Sequence, residues 1–171
     1  EMPFEKEITV KELAYAYPGS GAVLEKFNCR ICKGEHVGFK GSSGVGKSTL
    51  FNLLAGLLEP NSGEIWIDGI LLNGTTRSSW MKRLGYVPQE VFIFNGTLAE
   101  NIALGRKKID YDRVKEILEQ VSLSRWAEAL PDGIHTLLGE AGGRLSGGQR
   151  QRIGIARALY KRVEVLLLDE A

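Results

Sequence analysis

A glycine-rich segment in the first third of the chain has the residue types needed to bind phosphate. Residues 41–48 read GSSGVGKS, which matches G-x-x-x-x-G-K-[ST] at every fixed position. Glycines let the backbone wrap closely around a phosphate, and N–H groups at a helix start attract anionic oxygens. In such loops the lysine, here Lys47, contacts the β- and γ-phosphates, and the hydroxyl of Ser48 ligates Mg²⁺. The segment predicts a nucleoside triphosphate site; the structural alternative is a glycine-rich turn with a surface lysine.

A pair of carboxylates follows an apolar run near the end of the chain. The run Val165–Leu168 leads directly into Asp169 and Glu170. Ligands of open α/β sheets bind at the carboxyl ends of the strands, where Asp169 can reach Mg²⁺ through water. Glu170 is placed to orient or deprotonate an attacking water. Many strands end in aspartate, so this pattern is informative only together with the phosphate-binding segment.

A third segment, Leu145–Gln149, reads LSGGQ. Ser146 can cap a helix, and Gly147 and Gly148 leave backbone N–H groups accessible at its start, which predicts a second anion site. An ordinary helix cap is the alternative. A cap alone does not require two consecutive glycines, which lower helix stability.

The elements that must position these motifs begin with antiparallel β structure. Alternating apolar residues predict strands at 8–10 and 13–17, with a bulge or break near Lys11–Glu12, and a returning strand at 23–31. The Asp68-Gly69 pair indicates a hairpin turn.

Around the phosphate-binding segment, a short strand is predicted at Val37–Phe39 and a largely buried helix at 48–58. Further strands are predicted at Tyr86–Val87 and at 163–168.

The middle of the chain is predicted to be helical. Thr97 and Glu100 form a capping-box pattern, and Val114, Ile117, Leu118 and Val121 have amphipathic spacing. Helices are also predicted at 124–130 and from Ser146 to about Tyr160.

These segments together resemble the ATP-binding cassette (ABC) family. Residues 41–48 resemble its Walker A motif, Gln89 its Q-loop, Leu145–Gln149 its signature, and Val165–Glu170 its Walker B motif with the catalytic glutamate. Tyr17 resembles the aromatic residue that stacks on adenine. The order and spacing agree over nearly the whole chain, and the signature and Q-loop argue against kinases and GTPases.

The resemblance implies an α/β fold, a P-loop NTPase (RecA-like) core with an antiparallel β subdomain and an inserted α-helical signature subdomain. We expect the β subdomain and P-loop core in residues 1–88 and the helical subdomain, with Q-loop and signature, in residues 89–152. Residues 153–171 are expected to return to the core with the Walker B strand.

The family's mechanism implies a role for each motif residue. Two cassettes pair head to tail, with ATP between Walker A of one and the signature of the other, and closing and reopening of the pair drives a transporter. The residues expected to bind ATP are Tyr17, Ser42, Ser43, Gly44, Val45, Gly46, Lys47, Ser48, Thr49, Gln89, Ser146, Gly147, Gly148 and Gln149. Those expected to ligate Mg²⁺ are Ser48, Gln89 and Asp169, and the expected catalytic residues are Glu170, Gln89 and Lys47.

Two further segments resemble exporter-type cassettes. Residues 94–102 resemble the stretch after the exporter Q-loop, and residues 138–143, with Glu140, resemble the exporter X-loop. The resemblance implies a transmembrane domain in the same full-length polypeptide and a place at the cytoplasmic face of the membrane. The alternative for these segments is a capped helix and a flexible linker.

Bulk composition fits this interpretation. The 171 residues carry a net charge of +1, which gives no sign of nucleic-acid binding, and no apolar run approaches the ~20 residues that span a bilayer. The chain itself is therefore expected to be soluble. Cys29 and Cys32 have C-x-x-C spacing, but residues three apart on a strand point to opposite faces, which disfavours a redox or metal site.

The resemblance stops at Ala171, before the family's D-loop and switch histidine, and neither His36 nor His135 corresponds to the latter. We therefore expect this chain alone to hydrolyse ATP poorly. Two alternatives remain open: a non-transport ABC ATPase that acts on nucleic acid or ribosomes, and an ATP-binding fragment without turnover.

Overall fold

The computed structural model describes residues 2–138 and 145–169. The chain forms two compact units, residues 1–84 and residues 85–171. Within the described residues, no helix is both long and apolar enough to cross a membrane. The three-part division predicted at residues 1–88, 89–152 and 153–171 stays a prediction.

The first unit is built on a four-stranded antiparallel sheet with strand order β2-β1-β3-β4. Its strands are β1 (Glu7–Ala16), β2 (Ala22–Cys32), β3 (Ser62–Ile67) and β4 (Ile70–Leu71). The predicted front β structure and hairpin are confirmed. The slip near Lys11–Glu12 is a bulge within one strand, since the register of β1 on β2 shifts between Val10 and Leu13. Asn28 stabilises this bulge by accepting the Glu12 backbone N–H at 2.9 Å.

The cysteines lie on β2 as predicted. Cys29 is half-buried together with Phe27 and Ile31, whereas Cys32 is exposed, and both thiols are free. Burial raises the pKa of the Cys29 thiol, so this thiol is less ionised than an exposed one.

The helix after the phosphate-binding segment is shorter than predicted. Helix α1 spans Lys47–Leu54 and not residues 48–58. Gly56 adopts φ +73° and donates to the Leu53 carbonyl at 3.0 Å, while Leu57 donates to the Asn52 carbonyl at 2.8 Å. This pair of bonds is a Schellman motif, which ends a helix at a glycine even inside an apolar run. Helix α2 (Arg77–Met81) follows, with Trp80 fully buried and its indole N–H bonded to the Leu54 carbonyl at 2.8 Å.

The predicted strand at Val37–Phe39 is wrong. Residues 35–40 have no regular secondary structure, and none of the strands in the described part of the chain pairs with them. The run has only two apolar residues separated by Gly38, which is too short to fill a strand face. Val37 is 43% exposed. Phe39 packs edge-on against Phe27 and against Phe51, with ring centroids 6.0 Å apart in each pair.

The second unit is mainly helical. Its elements are β5 (Leu84–Val87), α3 (Leu98–Ile102), α4 (Tyr111–Gln120), α5 (Ser124–Glu128), a 3₁₀ turn (Gly133–His135), α6 (Gly147–Tyr160) and β6 (Val165–Leu168). Strand β5 begins at the last residue of the first unit and pairs with β6. The core combines α4 residues Val114, Ile117 and Leu118 with Ile153 and Ala156 of α6. The predicted helices are confirmed, although α5 ends two residues before Leu130.

Strand β6 is less buried than its sequence suggests. An uninterrupted apolar strand is typical of a sheet covered on both faces. Here only Leu167 is buried, while Leu166 is 36% exposed, and within the described residues β6 has β5 as its sole strand neighbour. The strand predicted at 163–168 is confirmed, although it begins at Val165.

Candidate functional site

The predicted phosphate-binding segment forms an exposed loop that ends in a helix start. Gly44 and Gly46 adopt φ +80° and +99°, and Gly46 is the residue that precedes α1. A Cβ at Gly46 would lie 2.8 Å from Val23 Cγ1 and 3.1 Å from the Val23 carbonyl oxygen, so both its backbone angle and its surroundings require glycine. The first turn of a helix has N–H groups without intrahelical partners. No side chain caps this start, and residues 42–45 and Ser48 are exposed.

The side chain of Lys47 turns back onto the same loop. Its Nζ donates to the carbonyl oxygens of Gly41 at 3.0 Å and Ser42 at 2.9 Å. The loop therefore combines a positive charge with helix-start amides, and both attract a polyphosphate.

Tyr17, the predicted adenine-stacking residue, is tied to α1. Its hydroxyl shares a hydrogen bond of 3.1 Å with the hydroxyl of Thr49, which is only 6% exposed. The ring is 42% exposed and lies edge-on to Tyr15 with centroids 5.0 Å apart. The first unit thus brings together the predicted base-binding residue and the predicted phosphate-binding loop.

The predicted signature starts helix α6 in the second unit. Ser146 caps the helix by accepting the Gln149 backbone N–H at 3.2 Å, and Gln149 Oε1 accepts the Ser146 N–H at 2.9 Å. The sequence analysis predicted the cap but missed this reciprocal capping box, although the S-x-x-Q spacing signals it. Gly147 and Gly148 are exposed, and a Cβ on either would meet no atom of the described residues within 4 Å.

Asp169 lies directly after β6. It is 5% exposed, its backbone N–H donates to the Val87 carbonyl at 3.0 Å, and the Tyr86 hydroxyl donates to Oδ2 at 3.4 Å. Sequence reasoning did not anticipate Tyr86. A carboxylate oxygen is a hard ligand of the type that Mg²⁺ prefers.

The remaining predicted site residues are Gln89, Glu170 and Glu140. Gln89 is exposed just beyond β5 and takes part in an interaction within the chain. Glu170 and residues 139–144, which include Glu140 of the X-loop resemblance, lie outside the described residues.

A buried polar network that the sequence analysis missed holds α6 in place. The Arg157 guanidinium donates to the Phe92 carbonyl at 2.6 Å and to the Asn101 carbonyl and side-chain oxygens at 2.7 and 2.9 Å. Asn101 is fully buried, and its amide group donates to the carbonyls of residues 94, 96 and 97. Burial lowers the pKa of Arg157. These bonds join α3, the segment 92–97 and the helix that carries the signature.

Comparison with known families gives one match across most of the chain. The sequence model of a family described as "ABC transporter" matches residues 24–171. The chain is 43% identical over 164 residues to the uncharacterized ABC transporter ATP-binding protein YwjA of Bacillus subtilis, covering 96% of this chain and 28% of that protein. It is 40% identical to the ATP-dependent lipid A-core flippase of Ralstonia nicotianae, with the same coverage of both chains.

A solved structure matches with similar breadth. A bacterial Atm1-family ABC exporter with ATP bound gives a TM-score of 0.91 at 34% identity, over 98% of this chain and 30% of that one. The chain thus spans less than a third of the length of these relatives.

Proposed function

This chain belongs to the ABC transporter family, as an ATP-binding domain like those of exporters, and we propose that it binds MgATP and hydrolyses it in a head-to-tail pair with a second cassette. The observation that carries the proposal is the exposed loop at residues 41–48. The positive charge of Lys47 and the uncapped start of α1 lie on this loop, and both favour an anionic ligand. ATP-binding domains of this family are generally ATPases.

The proposal gives tasks to the residues predicted to act on the phosphates, the metal ion and the attacking water. Lys47 binds the β- and γ-phosphates, while Ser42, Ser43, Gly44, Val45 and Gly46 surround them with backbone. Bound Mg²⁺ would neutralise charge between the β- and γ-phosphate oxygens. Ser48, Gln89 and Asp169 each carry an oxygen donor of the type that this ion prefers, and we assign its ligands to them. Glu170 orients or deprotonates the attacking water.

The signature supports the head-to-tail pair. Gly147 and Gly148 reduce helix stability, yet among residues 2–138 and 145–169 no atom lies within 4 Å of the place that a Cβ would occupy on either glycine. Close approach of a ligand from outside the chain explains both glycines. With Ser146 and Gln149 fixed by their capping box, the helix start of α6 binds the γ-phosphate of a nucleotide held by the partner cassette.

The proposal extends to the surrounding protein. The chain works with a transmembrane domain, in the same full-length polypeptide, at the cytoplasmic face of a membrane, and it powers export. The exporter relatives and the resemblance of residues 94–102 support this. The division into a β and P-loop part (1–88), a helical part (89–152) and a returning Walker B part (153–171) belongs to the same proposal. Nucleic acid is not a partner in it.

The test is MgATP binding by the 171-residue chain, measured by calorimetry, for the wild type and two lysine variants. Lys47→Ala should weaken binding about 100-fold, because it removes charge-assisted bonds to phosphate. Lys40→Ala removes an exposed charge just before the loop and should change binding less than about twofold. Equal binding by Lys47→Ala and the wild type would refute the phosphate assignment.

The catalytic part of the proposal has a separate test. Glu170→Gln keeps the shape of the side chain and removes its charge, so in the full-length polypeptide MgATP binding should persist while phosphate release is lost. Phosphate release at the wild-type rate would exclude Glu170 as the base.

A further inference from the structure

Thr49 is bonded in a way that the family resemblance does not explain. The resemblance assigns this residue to direct contact with the nucleotide. In the structure it is the third residue of α1, 6% exposed, and its hydroxyl is hydrogen-bonded to Tyr17. The bond spans 32 positions in sequence and joins the loop's helix to the end of β1. The Thr49 hydroxyl thus contacts Tyr17, the side chain that is expected to stack on the base.

The backbone of Tyr17 is also fixed. The Tyr17 carbonyl accepts two hydrogen bonds from Ser20, from the backbone N–H at 3.0 Å and from the hydroxyl at 2.9 Å. The preceding residue, Ala16, donates its N–H to Asn61 Oδ1 at 2.6 Å. With its main chain held, the remaining freedom of Tyr17 lies in its two side-chain torsions.

Two contacts restrict those torsions. Tyr15, itself 9% exposed, packs against the ring at an interplanar angle of 90°, and Thr49 holds the hydroxyl at the far end. The ring nevertheless stays 42% exposed. It borders a cleft of about 770 Å³ whose other walls include Pro18, Leu24 and Asn61. That volume lies within the range of small-molecule sites.

We propose that Thr49 is a positioning residue that acts through Tyr17, fixing the ring in the orientation that stacks on a purine base. The proposal rests on the proposed function, because it presumes a nucleotide at the loop. Its consequence is a division of labour in one helical turn, in which Lys47 and Ser48 act on the phosphates and Thr49 acts on the base.

The physical reason is preorganisation. A tyrosine ring that is already immobilised loses little further freedom when a base stacks on it, whereas a free ring must be ordered during binding. Loss of the Thr49 bond should therefore weaken ATP binding about three- to tenfold. Inorganic tripolyphosphate has no base, so its affinity should not change.

The experiment is a double-mutant cycle on the 171-residue chain, with calorimetric affinities for MgATP and for magnesium tripolyphosphate. Tyr17→Phe keeps the stacking ring and removes the hydroxyl, and Thr49→Val keeps the shape and removes the other hydroxyl. Each single variant, and the double variant, should lose the same three- to tenfold in ATP affinity, because all three break one bond. Thr49→Ser retains a hydroxyl and should restore wild-type selectivity for ATP over tripolyphosphate.

Additive losses in the double variant would overturn the proposal, because they would show that the two hydroxyls act independently. Weaker tripolyphosphate binding by Thr49→Val would also overturn it and assign Thr49 to direct phosphate contact. If Thr49→Val does not fold, as judged by circular dichroism, Thr49→Ala takes its place in the cycle. Tyr17→Phe alters an exposed side chain, and unchanged ATP affinity in this variant alone would also overturn the proposal.

Failure of the proposed function would give a different result. A folded wild-type chain that binds neither ATP nor tripolyphosphate refutes the nucleotide site itself. A chain that binds both, with selectivity unaffected by Tyr17 and Thr49, refutes only the positioning role.

Discussion

The starts of helices α1 and α6 share a glycine-rich approach but differ in how their backbone is satisfied. Helix α1 follows Gly46 in a left-handed conformation with no side-chain cap, whereas α6 follows Ser146 with both bonds of a capping box in place. The first start depends on surrounding atoms for its shape, and the second is stable by local side-chain bonds.

The glycines at the two helix starts also differ in how closely other atoms surround them. A Cβ at Gly46 would collide with Val23, but a Cβ at Gly148 would meet nothing within 4 Å in the part of the chain that the structure describes. Gly46 is required by the fold of its own unit. Gly148 has no such requirement, which is why we assign it to a ligand approaching from outside the chain.

The largest expected loss of stability concerns Gly46, which precedes helix α1. Gly46→Ala should lower the free energy of unfolding by about 2–4 kcal/mol, from backbone strain at φ +99° and the contact with Val23. Urea unfolding of the variant measures this loss. A loss below about 0.5 kcal/mol would mean that the loop relaxes freely and that the contrast between the two starts is overstated.

A smaller loss of stability is expected at the capped start of α6, and the capping box at the start of α3 is its control. Ser146→Ala and Thr97→Ala each remove one capping box, at α6 and at α3, and each should cost about 1 kcal/mol in urea unfolding. Only Ser146→Ala should also reduce phosphate release by the full-length polypeptide at concentrations that favour pairing. Equal phosphate release by the two variants would argue that Ser146 is merely a cap.

The smallest effect on stability concerns the open glycine. Gly148→Ala should raise the free energy of unfolding by about 0.5 kcal/mol, because alanine favours the helix, yet abolish ATP-dependent pairing measured by light scattering. Gly38→Ala is the control, since its Cβ would also meet nothing within 4 Å and it lies outside the motifs. Normal pairing of Gly148→Ala would contradict the assignment of the signature to a partner's nucleotide.

Features were predictable from the sequence when the residues that set them are close together along the chain. The hairpin at Asp68-Gly69 and the caps at Thr97 and Ser146 are set by neighbours a few residues apart, and all were predictable. The sequence placed an irregularity near Lys11–Glu12 but left a bulge and a break open, because the pairing with β2 and the bond from Glu12 to Asn28 decide between them. The failures involved contacts with more distant residues or a competing local rule. The helix after Lys47 ended early because Gly56 formed a Schellman motif inside an apolar run.

The sequence by itself determined which chemistry the chain carries, because glycine, lysine, serine and carboxylate spacings in the motifs are local and the caps follow the same short-range rules. Only the tertiary structure decided how those residues are held. The pairing of Tyr17 with Thr49, the bond from Tyr86 to Asp169 and the Arg157–Asn101 network join residues 32, 83 and 56 positions apart. Such contacts form only when the chain folds back on itself, and no periodicity in the sequence encodes them.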